Sequence, residues 1–204
     1  MLLQLASCTT DESTLSMVEG VDSTRAAAPL SSASNAGLAA VSAQVDADMR
    51  AFVPQREGFS FVNPNAGLAG WAGRNGVRLG GGANEFSLTF VGYGREGAVE
   101  PMAAVEGEMG ACVHEVTPDG SCARQLEYSH GDVTAWWANV AAGLEQGWDL
   151  GARPAGSGEL VIDVQVQGAE IAGDAYELWF ATDGNVLYRY SALQAWDANG
   201  DALD

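Results

Sequence analysis

The sequence predicts an all-β fold, an antiparallel β-sandwich preceded by one short N-terminal helix. The chain of 204 residues contains 26 glycines and only 18% charged residues, a composition typical of turn-rich β proteins. Short apolar or alternating runs follow one another between Gly, Asn, Asp and Pro residues, which is a strand pattern. Because no helices separate these runs, a parallel sheet cannot form and the strands must pair antiparallel. A barrel-like arrangement of the same strands is the alternative.

The first predicted element is the helix, over residues 37–52. Asn35 can cap the start of this helix, and Pro54 follows its end. Apolar residues recur within it at every third or fourth position: Leu38, Val41, Val45, Met49 and Phe52. This spacing places them on one helix face. Pro54 cannot continue a helix, since it has no N–H to donate.

Strands are predicted at the apolar runs that follow. Between residues 160 and 167 apolar and polar residues alternate, which indicates one buried and one solvated face. Asn199-Gly200 lies between apolar positions and predicts a hairpin turn. The predicted strands are 59–62, 77–79, 86–91, 111–116, 125–128, 133–140, 144–150, 159–167, 176–181, 186–190 and 193–196.

The chain divides into a lipoprotein-signal-like start with a flexible tether, residues 1–35, and the β-sandwich domain with its helix, residues 36–204. Leu5-Ala6-Ser7-Cys8 resembles the lipobox of bacterial lipoproteins, which implies lipidation at Cys8. Residues 9–35 are polar and contain too few apolar groups to order themselves. The interpretation is export to the outer membrane, the cell surface or the periplasm, and the alternative is a chance match.

The charge is strongly unbalanced. There are 27 acidic residues against nine basic ones, all of them Arg, which gives a net charge of -18. A phosphate backbone is held by clustered Lys and Arg, so nucleic acid is excluded as a partner. An anionic membrane would be reached only through a lipid anchor. The acids are interpreted as a solvated coat.

Two cysteines flank a turn signal. Cys112 and Cys122 lie on either side of Pro118-Asp119-Gly120, so two short strands around this turn would bring the thiols within bonding distance. A disulfide fits an exported protein. Free buried thiols are one alternative. Metal binding is another, because His114 and His130 are close in sequence, although the spacing is not a usual zinc pattern.

An ordered series of short phrases runs through the predicted domain: Asn63-Pro64, Gly76-Val77, 94–97, 127–131, 136–140, 143–150, 153–156, 187–190 and 197–200. The series resembles the N-terminal domain that precedes FG-GAP (integrin-α-like) repeats in large exported proteins of myxobacteria and their relatives. The resemblance spans about residues 59–203 and implies an exported, surface-associated accessory domain without a catalytic assignment. The chain itself contains no FG-GAP repeat, so the calcium sites of the repeats are not carried over.

Two motifs invite a ligand assignment. Residues 92–97 match the dinucleotide-binding pattern G-x-G-x-x-G, but the helix that must follow is lacking, and a glycine-rich β-turn or bulge is favoured. Asp197, Asn199 and Asp201 alternate like the first ligands of a calcium loop. Because Gly200 is one position away from the place that such a loop requires, a hairpin turn is favoured and calcium is the weaker candidate; no other cofactor is expected.

Hydrolytic chemistry has only weak candidates. Ser129, His130 and Asp132 supply the residue types of a catalytic triad, but neighbours in one stretch cannot readily converge. Glu127 and Glu145 could pair as in glycosidases, although 27 acids produce many accidental pairs. No catalytic residue is assigned.

The tryptophans are the more informative candidates for binding. In a strand, Trp136 and Trp137 must face opposite ways, so one enters the core and the other faces outward or covers another layer. With Trp148 they could form a platform on which a sugar stacks, to which Trp179, Trp196 and Tyr93 could add. Core packing is the alternative.

These observations lead to three hypotheses. The first is a non-enzymatic exported cell-surface module, for adhesion or as a structural accessory domain, anchored by lipid and in contact with neighbouring domains or surface ligands. The second is a carbohydrate-binding β-sandwich that uses exposed tryptophans. The third is a hydrolase that uses carboxylates.

Overall fold

The chain forms an antiparallel β-sandwich, as the sequence predicts. The structure is a computed structural model, and it describes residues 2–6, 42, 45, 48–110, 114–116, 122–123, 125–174 and 177–203. Every strand pair that it contains is antiparallel, and the strands build two large sheets that pack face to face. The sandwich, rather than the barrel-like arrangement, is therefore the fold.

The larger sheet has nine strands. They are β1 (Leu2–Ala6), β8 (Glu108–Met109), β11 (Gln125–Ser129), β12 (Val133–Val140), β13 (Gly143–Leu150), β15 (Glu170–Gly173), β16 (Glu177–Thr182), β17 (Asn185–Trp196) and β18 (Ala202–Leu203). Their spatial order is β15-β16-β17-β1-β13-β12-β11-β8, and β18 pairs with the end of β17.

The smaller sheet has seven strands: β2 (Val53–Gln55), β3 (Gly58–Asn63), β4 (Leu68–Ala72), β5 (Gly76–Leu79), β6 (Phe86–Arg95), β7 (Ala98–Pro101) and β14 (Leu160–Gln167). Their spatial order is β14-β6-β5-β4-β3-β2, and β7 pairs with β6. Strands β9 (His114–Val116) and β10 (Cys122–Ala123) form a separate two-stranded sheet, in which β10 contacts β12.

The start of the chain enters the larger sheet. Leu2–Ala6, which the sequence places in a signal-like segment, is strand β1 and pairs with β13 on one side and β17 on the other. Residues 7–41, with Cys8 and the predicted tether, lie outside the described residues. The predicted helix lies largely outside them as well: Ser42, Val45, Asp48 and Met49 are helical.

Aromatic side chains fill the space between the two sheets. Phe86 of the smaller sheet contacts Phe180 and Tyr188 of the larger one, with ring centroids 5.0 and 5.5 Å apart. Phe90 reaches Trp148 at 6.2 Å. Rings at these separations contribute about 0.5–1.5 kcal/mol per pair beyond the area that they bury. The core therefore ties the sheets together along β6.

A buried amide pair joins one end of the two sheets. The Asn63 side-chain amide donates to Asn139 Oδ1 at 2.9 Å and to the Val140 carbonyl at 2.6 Å. Asn139 in turn donates to the carbonyls of Arg50 and Val62, at 2.7 and 2.9 Å. Both asparagines are buried, and these hydrogen bonds satisfy side-chain amides that water cannot reach.

Most predicted strands form, with a few differences. The runs 186–190 and 193–196 are one strand, β17, and the Asn199-Gly200 hairpin forms between β17 and β18. Within the described residues, β1, β2, β4, β7, β8 and β15 were not predicted. Strand β1 falls in the segment interpreted as signal-like, and the other five are short or contain small residues and Pro, so their apolar periodicity is weak.

Asn63→Ala is expected to destabilise the fold by about 2–5 kcal/mol, because it leaves buried carbonyl groups of the 140–143 turn without a donor. Urea unfolding followed by tryptophan fluorescence measures the change. Asn65→Ala, two residues away and exposed, is the control and should cost less than about 0.5 kcal/mol. Equal losses for the two variants would contradict the role of the buried amide pair.

Candidate functional site

The predicted tryptophan platform is wrong, because its three members are buried. Trp136, Trp137 and Trp148 are each at most 2% exposed. Trp137 and Trp148 point into the core between the sheets. Trp136 faces the other way, beside Ala138 and Val140, and its ring occupies the space above Gly147 that a Cβ would fill. Both faces of β12 are covered, so neither of its tryptophans can stack on a ligand.

The calcium candidate forms a turn. Asp197 Oδ1 accepts hydrogen bonds from the backbone N–H groups of Asn199 and Asp201, at 2.8 and 3.0 Å. These bonds hold the pKa of the Asp197 carboxyl below its usual range. The carboxylate is thus already used to close the β17–β18 hairpin. Over the described part of the chain, no group of three or more His, Cys, Asp or Glu side chains could hold a metal ion.

The cysteine prediction stays open. Strands β9 and β10 pair antiparallel across the predicted turn, with Cys122 opposite Val116. Cys112 lies outside the described residues, so the disulfide stays a prediction, as does lipidation of Cys8.

The remaining sequence candidates have structural roles. Residues 92–97 end β6 and turn into β7, with Gly97 at φ 76°, which is the favoured glycine-rich β-turn. His130 packs edge-on against Phe90, with ring centroids 5.2 Å apart. Ser129 is exposed, and the Asp132 carbonyl accepts a hydrogen bond from the Gly151 N–H.

A different tryptophan lies on the outer face of the smaller sheet. Trp71 of β4 is partly exposed and stands opposite Ser60 of β3 and Arg78 of β5. Directly opposite side chains lie on the same face of a sheet. The register extends this row across six strands: Val53, Ser60, Trp71, Arg78, Ser87 and Gln167.

Three glycines form a trench beside Trp71. Gly58 begins β3, Gly73 follows β4 and donates its N–H to the carbonyl of Gly76, and Gly76 stands opposite Thr89. The indole lies over the trench: a Cβ on Gly58 would come within 3.1 Å of Trp71 Nε1, and one on Gly73 within 3.7 Å. The indole therefore packs over Gly58 and Gly73, and the part of its ring that stays exposed is what a ligand can reach.

The trench connects two depressions in the surface. The larger, about 650 Å³, is lined by residues 54–59 and by Gly73, Arg74, Glu106 and Gly107. The smaller, about 300 Å³, contains Trp71, Arg78, Ser87 and Thr89. Gly73 and Arg74 line both. Their volumes are in the range of ligand sites, and their walls are largely polar.

Two buried side chains hold the trench from below. Asn75, in the left-handed conformation at φ 58°, donates to the Ala103 carbonyl at 2.8 Å and accepts from the Val105 N–H at 2.6 Å. Tyr128, from the larger sheet, donates its hydroxyl to the Gly73 carbonyl at 2.7 Å. Burial raises the pKa of Tyr128, so the phenol stays protonated and can donate. The floor is therefore fixed by both sheets.

Exposed ion pairs surround the site. Arg74 lies 3.7 Å from Glu106, and Arg78 lies 3.6 Å from Glu85. Both arginine side chains are more than half exposed, at 64% and 54%. Exposed pairs of this kind contribute about 0–1 kcal/mol, so a ligand can compete for the guanidinium groups at little cost.

Trp71 and the glycines around it are not among the residues that the sequence patterns indicate. One signal was available: Asn75-Gly76 is a hairpin dipeptide, and it lies between Trp71 and Arg78. Gly70 and two alanines make β4 a weak strand pattern, which concealed that Trp71 lies on a solvated face.

No protein-family model matches the chain, and neither a curated protein nor a solved structure does. The resemblance to domains that precede FG-GAP repeats stays a prediction. Within the described residues, no helix has the length and apolar character needed to cross a membrane.

The stability of the fold is expected to fall with acidification through pH 6.5, because burial lowers the pKa of His130 in the folded chain. The unfolded chain then binds a proton, near pH 6.5, that the folded chain still excludes. The contribution of neutral His130 to the free energy of unfolding is fully present above the pKa of the unfolded chain. It is lost as the pH falls from there toward the lowered pKa of the folded chain. Melting temperatures measured from pH 7.5 to 5.5 test the effect.

His130→Gln should show a smaller decline over the same range. Both proteins retain His114, so the difference isolates His130. A parallel decline in the two proteins would contradict the assignment.

Proposed function

We propose that the chain is a non-enzymatic, exported binding module that holds a carbohydrate on the outer face of its smaller sheet. The observation that carries the proposal is the Trp71 indole beside the trench of Gly58, Gly73 and Gly76. The carbohydrate hypothesis is thus kept, but its site moves from β12 and β13 to β4.

The chemistry of the site suits a sugar. An indole on a rigid strand offers a flat apolar surface to the C–H face of a pyranose ring. Ser60, Ser87 and Thr89 are partly exposed hydroxyls on the same face, and Gln165 and Gln167 add amides further along it. Such groups can donate to and accept from sugar hydroxyls. One aromatic surface with several small polar groups around it is typical of a ligand site in which the polar groups fix the orientation of the ligand.

Binding rather than hydrolysis is supported by the position of the carboxylates. Glu127 lies on β11 and Glu145 on β13, with β12 between them. Neither lines the two depressions beside Trp71. The carboxylate pair on which the third hypothesis, a hydrolase, was based is thus not at the aromatic site, where the carboxylates of the larger depression are Glu57 and Glu106.

Export is proposed from the sequence, through the lipobox-like residues 5–8, the expected Cys112–Cys122 disulfide and the resemblance to FG-GAP-associated domains. Cleavage before Cys8 would remove β1 from between β13 and β17. Mass spectrometry of the protein purified from bacterial cells distinguishes a lipidated Cys8 from an intact Leu2–Ala6 segment. An intact segment would contradict the lipid anchor and leave the sugar site unaffected.

A structural accessory role remains the second proposal, and one feature favours it. Trp196 and Leu203 of the β17–β18 hairpin are 44% and 56% exposed. Trp196 stands opposite Ala202 and Leu203 opposite Ala195, so each face of the hairpin carries one large exposed apolar residue that a neighbouring domain could cover.

Trp71→Ala is expected to weaken glycan binding at least tenfold, since a tryptophan at the centre of a binding site typically contributes about 2 kcal/mol or more. A glycan array identifies a ligand, and isothermal titration calorimetry measures its affinity. Trp196→Ala is the matched control: it removes an exposed tryptophan outside the site and should bind normally. A chain that binds no glycan, or a Trp71→Ala variant that binds normally, would overturn the proposal.

Gly73→Ala gives an independent test without loss of the fold. The new methyl would lie in ordinary contact with the indole, 3.7 Å from Nε1, and would occupy the trench. Binding should weaken about tenfold, the effect of one obstructing methyl group. Gly81→Ala is the control, because a Cβ there meets nothing within 4 Å. Equal affinities of the two alanine variants would show that the trench is not the site.

A further inference from the structure

Arginine is concentrated around the trench. Arg56 and Arg74 line the larger depression, and Arg74 and Arg78 line the smaller one. The whole chain has nine basic residues against 27 acidic ones, so three of the nine are gathered at one site. Glu57 and Glu106 line the larger depression as well, and Glu85 pairs with Arg78, so the surroundings of the trench are close to neutral on a chain with a net charge of -18.

These arginines are held loosely enough to bind a ligand. The Arg74–Glu106 and Arg78–Glu85 distances of 3.7 and 3.6 Å exceed the 2.7–2.9 Å of a strong charge-assisted hydrogen bond. A ligand carboxylate could replace either glutamate without leaving a buried charge unpaired, because all four side chains are more than one-third exposed.

The register places a guanidinium beside the aromatic surface. Arg78 stands directly opposite Trp71, and directly opposite Cβ atoms in a sheet lie about 4.5–5.5 Å apart. A pyranose ring stacked on the indole would thus present an equatorial substituent to Arg78. The planar guanidinium matches a carboxylate with two parallel hydrogen bonds, which a neutral hydroxymethyl group cannot accept.

We propose that the ligand is an acidic polysaccharide, with a uronic acid ring on Trp71 and its carboxylate on Arg78 and Arg74. This inference rests on the proposed carbohydrate site and narrows its ligand. The net charge of -18 opposes the approach of a polyanion at long range. At physiological ionic strength this repulsion is screened beyond about 8 Å, whereas contacts with the arginines act at shorter distance.

The test compares polymers that differ only in charge. Polygalacturonate and alginate are each titrated against the purified chain at 150 mM salt, beside the same polymers with their carboxylates converted to neutral methyl esters. We expect an acidic polymer to bind at least about tenfold more tightly than its ester, the effect of one charge-assisted contact.

Arginine variants test whether the arginines cause the difference in affinity between the acidic polymer and its ester. Arg78→Gln and Arg74→Gln should each weaken binding of the acidic polymer about tenfold and leave binding of the ester unchanged. Arg153→Gln is the control for net charge, because Arg153 is exposed and lines neither depression. Circular dichroism confirms that each variant is folded.

The outcomes separate this inference from the proposed function. Equal binding of acid and ester, or equal affinities of Arg78→Gln and Arg153→Gln, would overturn the uronic acid assignment. If neither acidic polymer binds, but a neutral glycan binds in a Trp71-dependent manner, the assignment is wrong and the carbohydrate site stands. If Trp71→Ala changes no glycan binding, both are wrong.

Discussion

The geometry of the trench depends on the buried side chain of Asn75. Its amide bonds the turn between β4 and β5 to residues 103–105, the segment that leads from the smaller sheet to the larger one. The same residue adopts φ 58°, which asparagine tolerates better than most residues because its short polar side chain bonds locally. Gly73, Arg74 and Gly76 are placed by this one turn, and Glu106 is brought beside Arg74. One buried hydrogen-bonding group thus determines both the floor and the charged rim.

The two sheets divide the aromatic residues by role. Trp136 and Trp137 occupy a strand with covered faces, so their rings are fully used in packing. Trp71 stands between Ser60 and Arg78 on the outer face of the smaller sheet and keeps part of its ring exposed. Trp136 has a glycine, Gly147, directly opposite and is nevertheless buried. The number of tryptophans in the sequence therefore says little about binding, because what covers each face of the strand decides which tryptophan is accessible.

The sequence was sufficient for the fold class, the antiparallel pairing and the β17–β18 hairpin, since apolar alternation and Asn-Gly turns are local signals. It was insufficient for the site. Burial of Trp148 depends on its contact with Phe90, which is 58 positions away in the chain and comes close only when the sheets pack. The trench joins a glycine of β3, the glycine that follows β4 and a glycine of β5, and the register that aligns them is fixed by pairing between strands, not by any single stretch.

A further consequence follows from the hydroxyl of Tyr128, which reaches from one sheet to the floor of the other. A surface supported in this way is preformed, so that ligand binding requires little loop movement. Association would then proceed at rates typical of rigid partners, and differences in affinity among ligands would arise mainly in how long each stays bound. On a rigid strand surface, residence time rather than capture rate would discriminate one polymer from another.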